Sequence, residues 1–237
     1  MAKTVKKKKI TRHELKEDRF LETTKDFITF FRANSSRIIL TVIILAVVAI
    51  GVRVYLSNKK SSEEKARIKM LYADNIYENG NFKDAVVAYQ DIIKVYGGTK
   101  SAQRATLFLA NSYFFSGDMD NALDYYNKAY KLLKKNPNLA SAALMGVGSV
   151  YEQKGSFDEA IKYYDEVITD YKDTPARIDA LFAKARCLEF SNRFADAIKV
   201  YEQIKMDYPD ATFTNDATQR ITFLRGAVES QRIEKGQ

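Results

Sequence analysis

The residues able to do covalent or metal chemistry are few and far apart. The chain has one histidine, His13, and one cysteine, Cys187. They lie in different parts of the sequence, so neither a Ser-His-Asp nor a Cys-His arrangement can be assembled from them as read. A metal site built from His and Cys needs three or four ligands, which these two cannot supply. Gly97-Gly98-Thr99-Lys100 has the ending of a phosphate loop. It lacks the first glycine of G-x-x-x-x-G-K and has no strand before it, so it reads as a turn. Gly146 and Gly148 stand two apart inside a helical pattern, without the third glycine of a dinucleotide site. The acidic residues are dispersed, with no pair placed for acid–base work. The expectation is a protein that is not an enzyme, with no metal, no cofactor and no small-molecule substrate. Cys187 is expected to be a buried, inert thiol.

What remains is pattern, and the pattern repeats. Asn79-Gly80-Asn81-Phe82-Lys83-Asp84-Ala85, Ser116-Gly117-Asp118-Met119-Asp120-Asn121-Ala122, Lys154-Gly155-Ser156-Phe157-Asp158-Glu159-Ala160 and Ser191-Asn192-Arg193-Phe194-Ala195-Asp196-Ala197 align, each followed by Tyr89, Tyr126, Tyr164 or Tyr201. The alanines recur at spacings of 37, 38 and 37 residues. Such a period marks an array of helix pairs. The glycine, or Asn192, ends a first helix because it can adopt the left-handed conformation after the last turn. Phe82, Met119, Phe157 and Phe194 start the second helix. The alanines, with Ala73, Ala110, Gly148 and Ala185 twelve residues upstream, let two helices approach closely. The tyrosines fill the space between them. Helices are predicted over 62–79, 82–96, 99–116, 119–134, 138–154, 157–171, 175–191, 194–207 and 212–231, the last as a cap with Gln219, Arg220 and Glu229 outward.

Ahead of the repeats, Ile38 to Val52 is an uncharged run, extended by Val54, Tyr55 and Leu56. Residues 38–56 are long enough to cross a membrane if Arg37 and Arg53 snorkel. No cleavage signal follows, so an uncleaved signal anchor is expected. Residues 1–37 hold eleven Lys/Arg against five Asp/Glu; residues 57–237 hold 26 against 25. The net charge of +8 is therefore concentrated in the tail, which argues against nucleic acid as a partner and for a cytoplasmic N-terminus. Phe20, Leu21, Thr24, Phe27, Ile28 and Phe31 give residues 14–33 an amphipathic helical period, suited to an anionic lipid surface or to a plain extension of the span. The expected organisation is a basic tail with a juxtamembrane helix over 1–37, a span over 38–56, a linker over 57–63 and the repeats over 64–237.

The repeated residues resemble the tetratricopeptide repeat family, over about residues 64–209. The period is three or four residues longer than usual, and of the prolines only Pro209 falls in register; Pro137 and Pro175 come later. The units are similar to those of outer-membrane assembly lipoproteins, and the layout resembles the ancillary subunit of the bacterial protein-translocation channel. The resemblance implies an all-α fold, a right-handed α-solenoid of about four helix pairs after a single transmembrane helix. It also implies protein partners in a concave groove lined by the first helices. Carried over by register, the groove residues are Arg67, Met70, Asp74 and Tyr77; Arg104, Leu107, Asn111 and Phe114; Ala142, Met145, Ser149 and Glu152; and Asp179, Phe182, Arg186 and Glu189. Leu107, Met145 and Phe182 could equally fill the core. Met70 and Leu107 stand where a two-lysine clamp for chaperone C-termini would need lysine, so that mode is not expected. The implied role is a scaffold or chaperone adaptor in the bacterial inner membrane, its solenoid periplasmic, beside a translocation or export machine. The alternative is a structural subunit of an envelope assembly or division complex.

Overall fold

The computed structural model describes residues 12–209 and 211–234. The lysine run of residues 1–11, assigned to the basic tail, lies outside the described residues. Ten helices and no strand occur among the described residues. The chain divides into two compact units between Lys59 and Lys60.

In the first unit, α1 (Arg12–Ala33) carries the amphipathic pattern expected over 14–33. Asn34 alone separates it from α2 (Ser35–Glu78). The hydrogen-bond ladder continues across that residue: the Asn34 amide donates to the Phe30 carbonyl and the Ile38 amide to the Asn34 carbonyl, both at 3.0 Å. From Ile39 to Leu56 the large apolar side chains of α2 stand exposed, and none of its most apolar window is buried.

The second unit is the solenoid. Its first helix is the later part of α2, which runs unbroken through residues 57–63. The expected linker is thus helical, because Leu56 to Glu78 contains neither Gly nor Pro to stop propagation. Then follow α3 (Phe82–Tyr96), α4 (Lys100–Phe115), α5 (Met119–Leu133), α6 (Pro137–Gln153), α7 (Phe157–Asp170), α8 (Ala176–Phe190), α9 (Phe194–Asp207) and α10 (Ala211–Glu234). From α3 to α10 sequential helices pack on one another, Met70 and Ala73 of α2 join the same core as Ala85, Tyr89 and Ile92 of α3, and first helices also touch across repeats, α4 on α6 and α6 on α8.

The turns inside each pair form as their residues dictate. Gly80, Gly117, Gly155 and Asn192 all have positive φ, between 56° and 87°. At each, the next residue's amide reaches back to a carbonyl five residues earlier: Asn81 to Ile76, Asp118 to Tyr113, Ser156 to Tyr151 and Arg193 to Leu188. That bond satisfies a carbonyl the helix end would otherwise leave open. Between repeats, Thr99 caps α4 by accepting from the Ala102 amide at 3.1 Å, which makes Gly97–Lys100 a turn as expected. Asn136 caps α6 with Pro137 at its first position, where the missing N–H costs nothing.

The core is four clusters in a row, one at each joint. Ala73, Ala85, Tyr89, Ile92, Ala105 and Leu109 meet at the first; Ala110, Ala122, Tyr126, Ala143 and Val147 at the second. Leu144, Ala160, Tyr164, Ala180 and Cys187 form the third, and Leu181, Ala185, Ala197, Tyr201, Ala217 and Leu224 the fourth. Each fully buried Ile or Leu contributes about 1.5–3 kcal/mol.

Candidate protein-binding groove

The recurring tyrosines do more than fill space. Each ring is buried among the small residues of its joint, while its hydroxyl reaches a polar side chain on the inner wall. Tyr89 donates to Asp74 at 2.7 Å, Tyr126 to Asn111 at 2.8 Å, Tyr164 to Glu152 at 2.8 Å and Tyr201 to Glu189 at 2.7 Å. Ser149 sits 3.5 Å from the Tyr164 hydroxyl. Burial, and then the neighbouring carboxylates, push the phenols of Tyr89 and Tyr201 upward, Tyr201 to about 12. They therefore remain neutral donors at physiological pH.

This ladder fixes five of the residues expected to line the groove. Asp74, Asn111, Ser149, Glu152 and Glu189 are half-buried and hydrogen-bonded through it. Its two ends differ in chemistry. Towards the C-terminus the wall is ionic. Arg186 of α8 forks onto Glu152 of α6, Nε to Oε1 at 2.5 Å and Nη2 to Oε2 at 2.9 Å. Arg220 of α10 pairs likewise with Glu189 of α8. Burial alone would raise the Glu152 carboxyl, but the bonds from Arg186 and Tyr164 outweigh it and hold it below its usual value.

Towards the N-terminus the wall is aromatic. The Tyr77 ring lies 5.4 Å from Phe82, 5.9 Å from Phe108 and 6.2 Å from Phe115, centroid to centroid. Phe82 and Phe115 stack at 5.1 Å, and Phe114 meets Phe115 edge-on at 5.4 Å. The Arg104 guanidinium lies 6.0 Å above Phe108, within cation–π range. Beside these rings a cleft of about 520 Å³ is lined by Phe82, Phe115, Lys83 and Asp84. Arg67 is exposed at the corresponding place in the first repeat.

Two of the expected groove residues belong elsewhere. Met70 and Leu107 are only 3% and 4% exposed and lie in the first and second core clusters. Their place on the helix turns them toward the second helix of their own repeat, so they pack and cannot contact a ligand. Met145, Phe182 and Phe114 are half-buried, packed partly against the core. Ala142 is half-buried, and Asp179 and Arg186 are exposed. Phe108 and Phe115 were not anticipated as wall residues. Their only sequence signal is their nearness to Arg104 and Phe114 on the same helix. Cys187 is buried, as expected; desolvation first, then the Glu152 charge, pushes its thiol up to about 12. No group of His, Cys, Asp and Glu able to hold a metal occurs among the described residues.

A family model described as a tetratricopeptide repeat-like domain matches residues 29–218. The chain belongs to this family. The match takes in the apolar run as well as the repeats. No curated protein matches the chain by sequence. Among solved structures, it is similar to the nearly identical TPR-like repeats of Podosopora anserina, at 17% identity and a TM-score of 0.59, over 73% of this chain and 90% of that one. It is also similar to aspartyl phosphate phosphatase F from Bacillus subtilis, at 14% identity and 0.62, over 73% of this chain and 48% of that one. A tetratricopeptide repeat protein from Parabacteroides merdae matches at 13% and 0.56, over 70% and 62%. These likenesses are of fold. The chain is a tetratricopeptide-type repeat scaffold, the architecture of a protein-interaction module.

Proposed function

We propose that this protein is a membrane-anchored adaptor that acts by binding rather than by catalysis. Residues 38–56 span the bacterial inner membrane, the N-terminus faces the cytoplasm, and the solenoid holds protein partners in its groove on the extracytoplasmic side. One observation carries the reading. The solenoid gathers apolar side chains into four buried clusters, yet the run from Ile39 to Leu56 is exposed along its whole length. Water would oppose that exposure at about 25 cal/mol per Å², whereas hydrocarbon welcomes it. The basic excess before the run supports the orientation. The groove supports the partner class: an aromatic end to seat apolar side chains and an ionic end to align a polypeptide. A partner held beside the membrane meets its machine at raised effective concentration, which suits translocation or export.

The full chain is expected to stay with membranes through alkaline carbonate washing. A Ser57→Cys variant should react with a membrane-impermeant maleimide on spheroplasts, against a background in which native Cys187 is buried. Labelling only after lysis would reverse the orientation. Release by carbonate would remove the span.

A further inference from the structure

One row of the groove carries charges that nothing in the solenoid answers. Arg67, Arg104, Ala142, Asp179 and Asp216 hold the same register on α2, α4, α6, α8 and α10, 37 or 38 residues apart. The first four stand seven residues before Asp74, Asn111, Ser149 and Arg186 of the inner wall. Seven residues are nearly two turns, so the row shares that face. Its four charged members are exposed, and none is in an ion pair among the described residues. On the same wall Glu152 is matched by Arg186 and Glu189 by Arg220.

The signs in the row are sorted. Both cations lie on α2 and α4, both anions on α8 and α10, and uncharged Ala142 stands between them. One turn before them, exposed Lys100 adds a cation beside Arg104 and exposed Glu64 an anion beside Arg67, which cancel. Asp74 and Glu78 lie two and three turns beyond Arg67, at least about 10 Å along the helix, where salt screens them from the row.

This pattern narrows the occupant. Nucleic acid or an anionic lipid surface has one sign throughout, so the asparates' end would repel what the arginines' end attracts. A small molecule is too short. α4 touches α6 and α6 touches α8; packed helices lie about 8–10 Å apart, which puts the helices of Arg104 and Asp179 roughly 16–20 Å apart. An extended chain rises about 3.3 Å per residue and crosses one helix in about three residues. A second copy laid antiparallel would match the signs, but two concave faces meet only at their rims. A single extended strand fits inside.

We propose that the row selects an extended segment of a partner polypeptide with sorted charge: acidic residues at one end for Arg67 and Arg104, basic residues at the other for Asp179 and Asp216, and an uncharged centre over Ala142. The inference rests on the reading of the groove as a protein-binding site; it adds what the groove selects and which way the chain lies. Complementary charge of this kind supplies specificity and orientation more than affinity.

The probe is a peptide capped at both ends, with two glutamates, a leucine and two lysines at every third position and serine elsewhere. The control has the same composition with glutamate and lysine alternating. Each carries a neutral fluorophore and is titrated with the full chain in neutral detergent at low salt. The sorted peptide should bind severalfold tighter than the control. Arg67→Glu with Arg104→Glu should weaken it about tenfold and favour an all-lysine version, with helicity unchanged because these side chains are exposed. Adding Asp179→Lys and Asp216→Lys should restore the sorted peptide, which can now lie end for end; a merely structural effect of the substitutions would not be rescued. Equal binding of sorted and alternating peptides, or no rescue, would overturn the proposal and leave a groove that binds polypeptide. Binding of neither peptide would overturn it and the groove reading together. A dimer by light scattering that Arg104→Glu dissociates would overturn it by giving the row to a second copy.

Discussion

At the scale of the residue, the decisive contacts are between a tyrosine and a residue with almost no side chain. A Cβ added to Gly146 would stand 2.1 Å from Cε1 of Tyr126. The ring is nearly fully buried and tied to Asn111, so it has little room to yield. Overpacking of this kind costs about 1–3 kcal/mol, against about 1 kcal/mol gained from replacing a helical glycine by alanine. Gly146→Ala is therefore expected to lower the urea midpoint, with a net loss of up to ~2 kcal/mol. A variant more stable than the parent would show that the ring moves freely. In the sequence, Gly146 stood out only as part of an incomplete dinucleotide motif. Its partner is twenty positions away on another helix, a contact that only the stacking of repeats creates. The tyrosine hydroxyl pairs are similar. Asp74 and Asn111 lie fifteen residues before their tyrosines and Glu152 and Glu189 twelve before theirs, a regularity visible in the sequence once the structure shows which polar groups to count.

At the scale of the element, helix ends were legible and helix continuity was not. Gly80, Gly117, Gly155 and Asn192 mark their turns because few residues tolerate positive φ. The change from apolar to charged composition after Leu56 reads as a boundary, yet charge alone does not break a helix. The Glu152–Arg186 fork links α6 to α8 and makes its own prediction. The carboxyl of Glu152 is held below its ordinary 4.5 in the fold. A depressed carboxylate contributes stability above its unfolded value and loses it as pH falls through the folded one. The parent should thus melt higher than Glu152→Gln at pH 7, with the gap closing below about pH 4.5. A gap that persists unchanged at pH 3 would mean that the fork contributes by packing rather than by charge.

At the scale of the molecule, the solenoid is a row of like joints, each touching only its neighbours, so its folding needs no help from the first unit. A fragment of residues 60–237 is expected to be soluble without detergent and as helical, per residue of solenoid, as the full chain by circular dichroism. Aggregation of a correctly helical fragment that Leu71→Glu relieves would trace the problem to the exposed Ile68, Leu71 and Tyr72 of α2. The repeat period, the turn residues and the apolar run are local facts, each resting on neighbours within a few positions, and they were enough to determine an all-α repeat scaffold with one helix apolar and long enough to cross a membrane. Which side of each helix faces a joint, a groove or open solvent depends on what stacks against it. That is why Met70 and Leu107 turned inward, why an aromatic wall and an ionic wall share one groove, and why Ile68, Leu71 and Tyr72 are left uncovered: each is settled by contacts a whole repeat or more apart, and the tertiary structure alone makes those contacts.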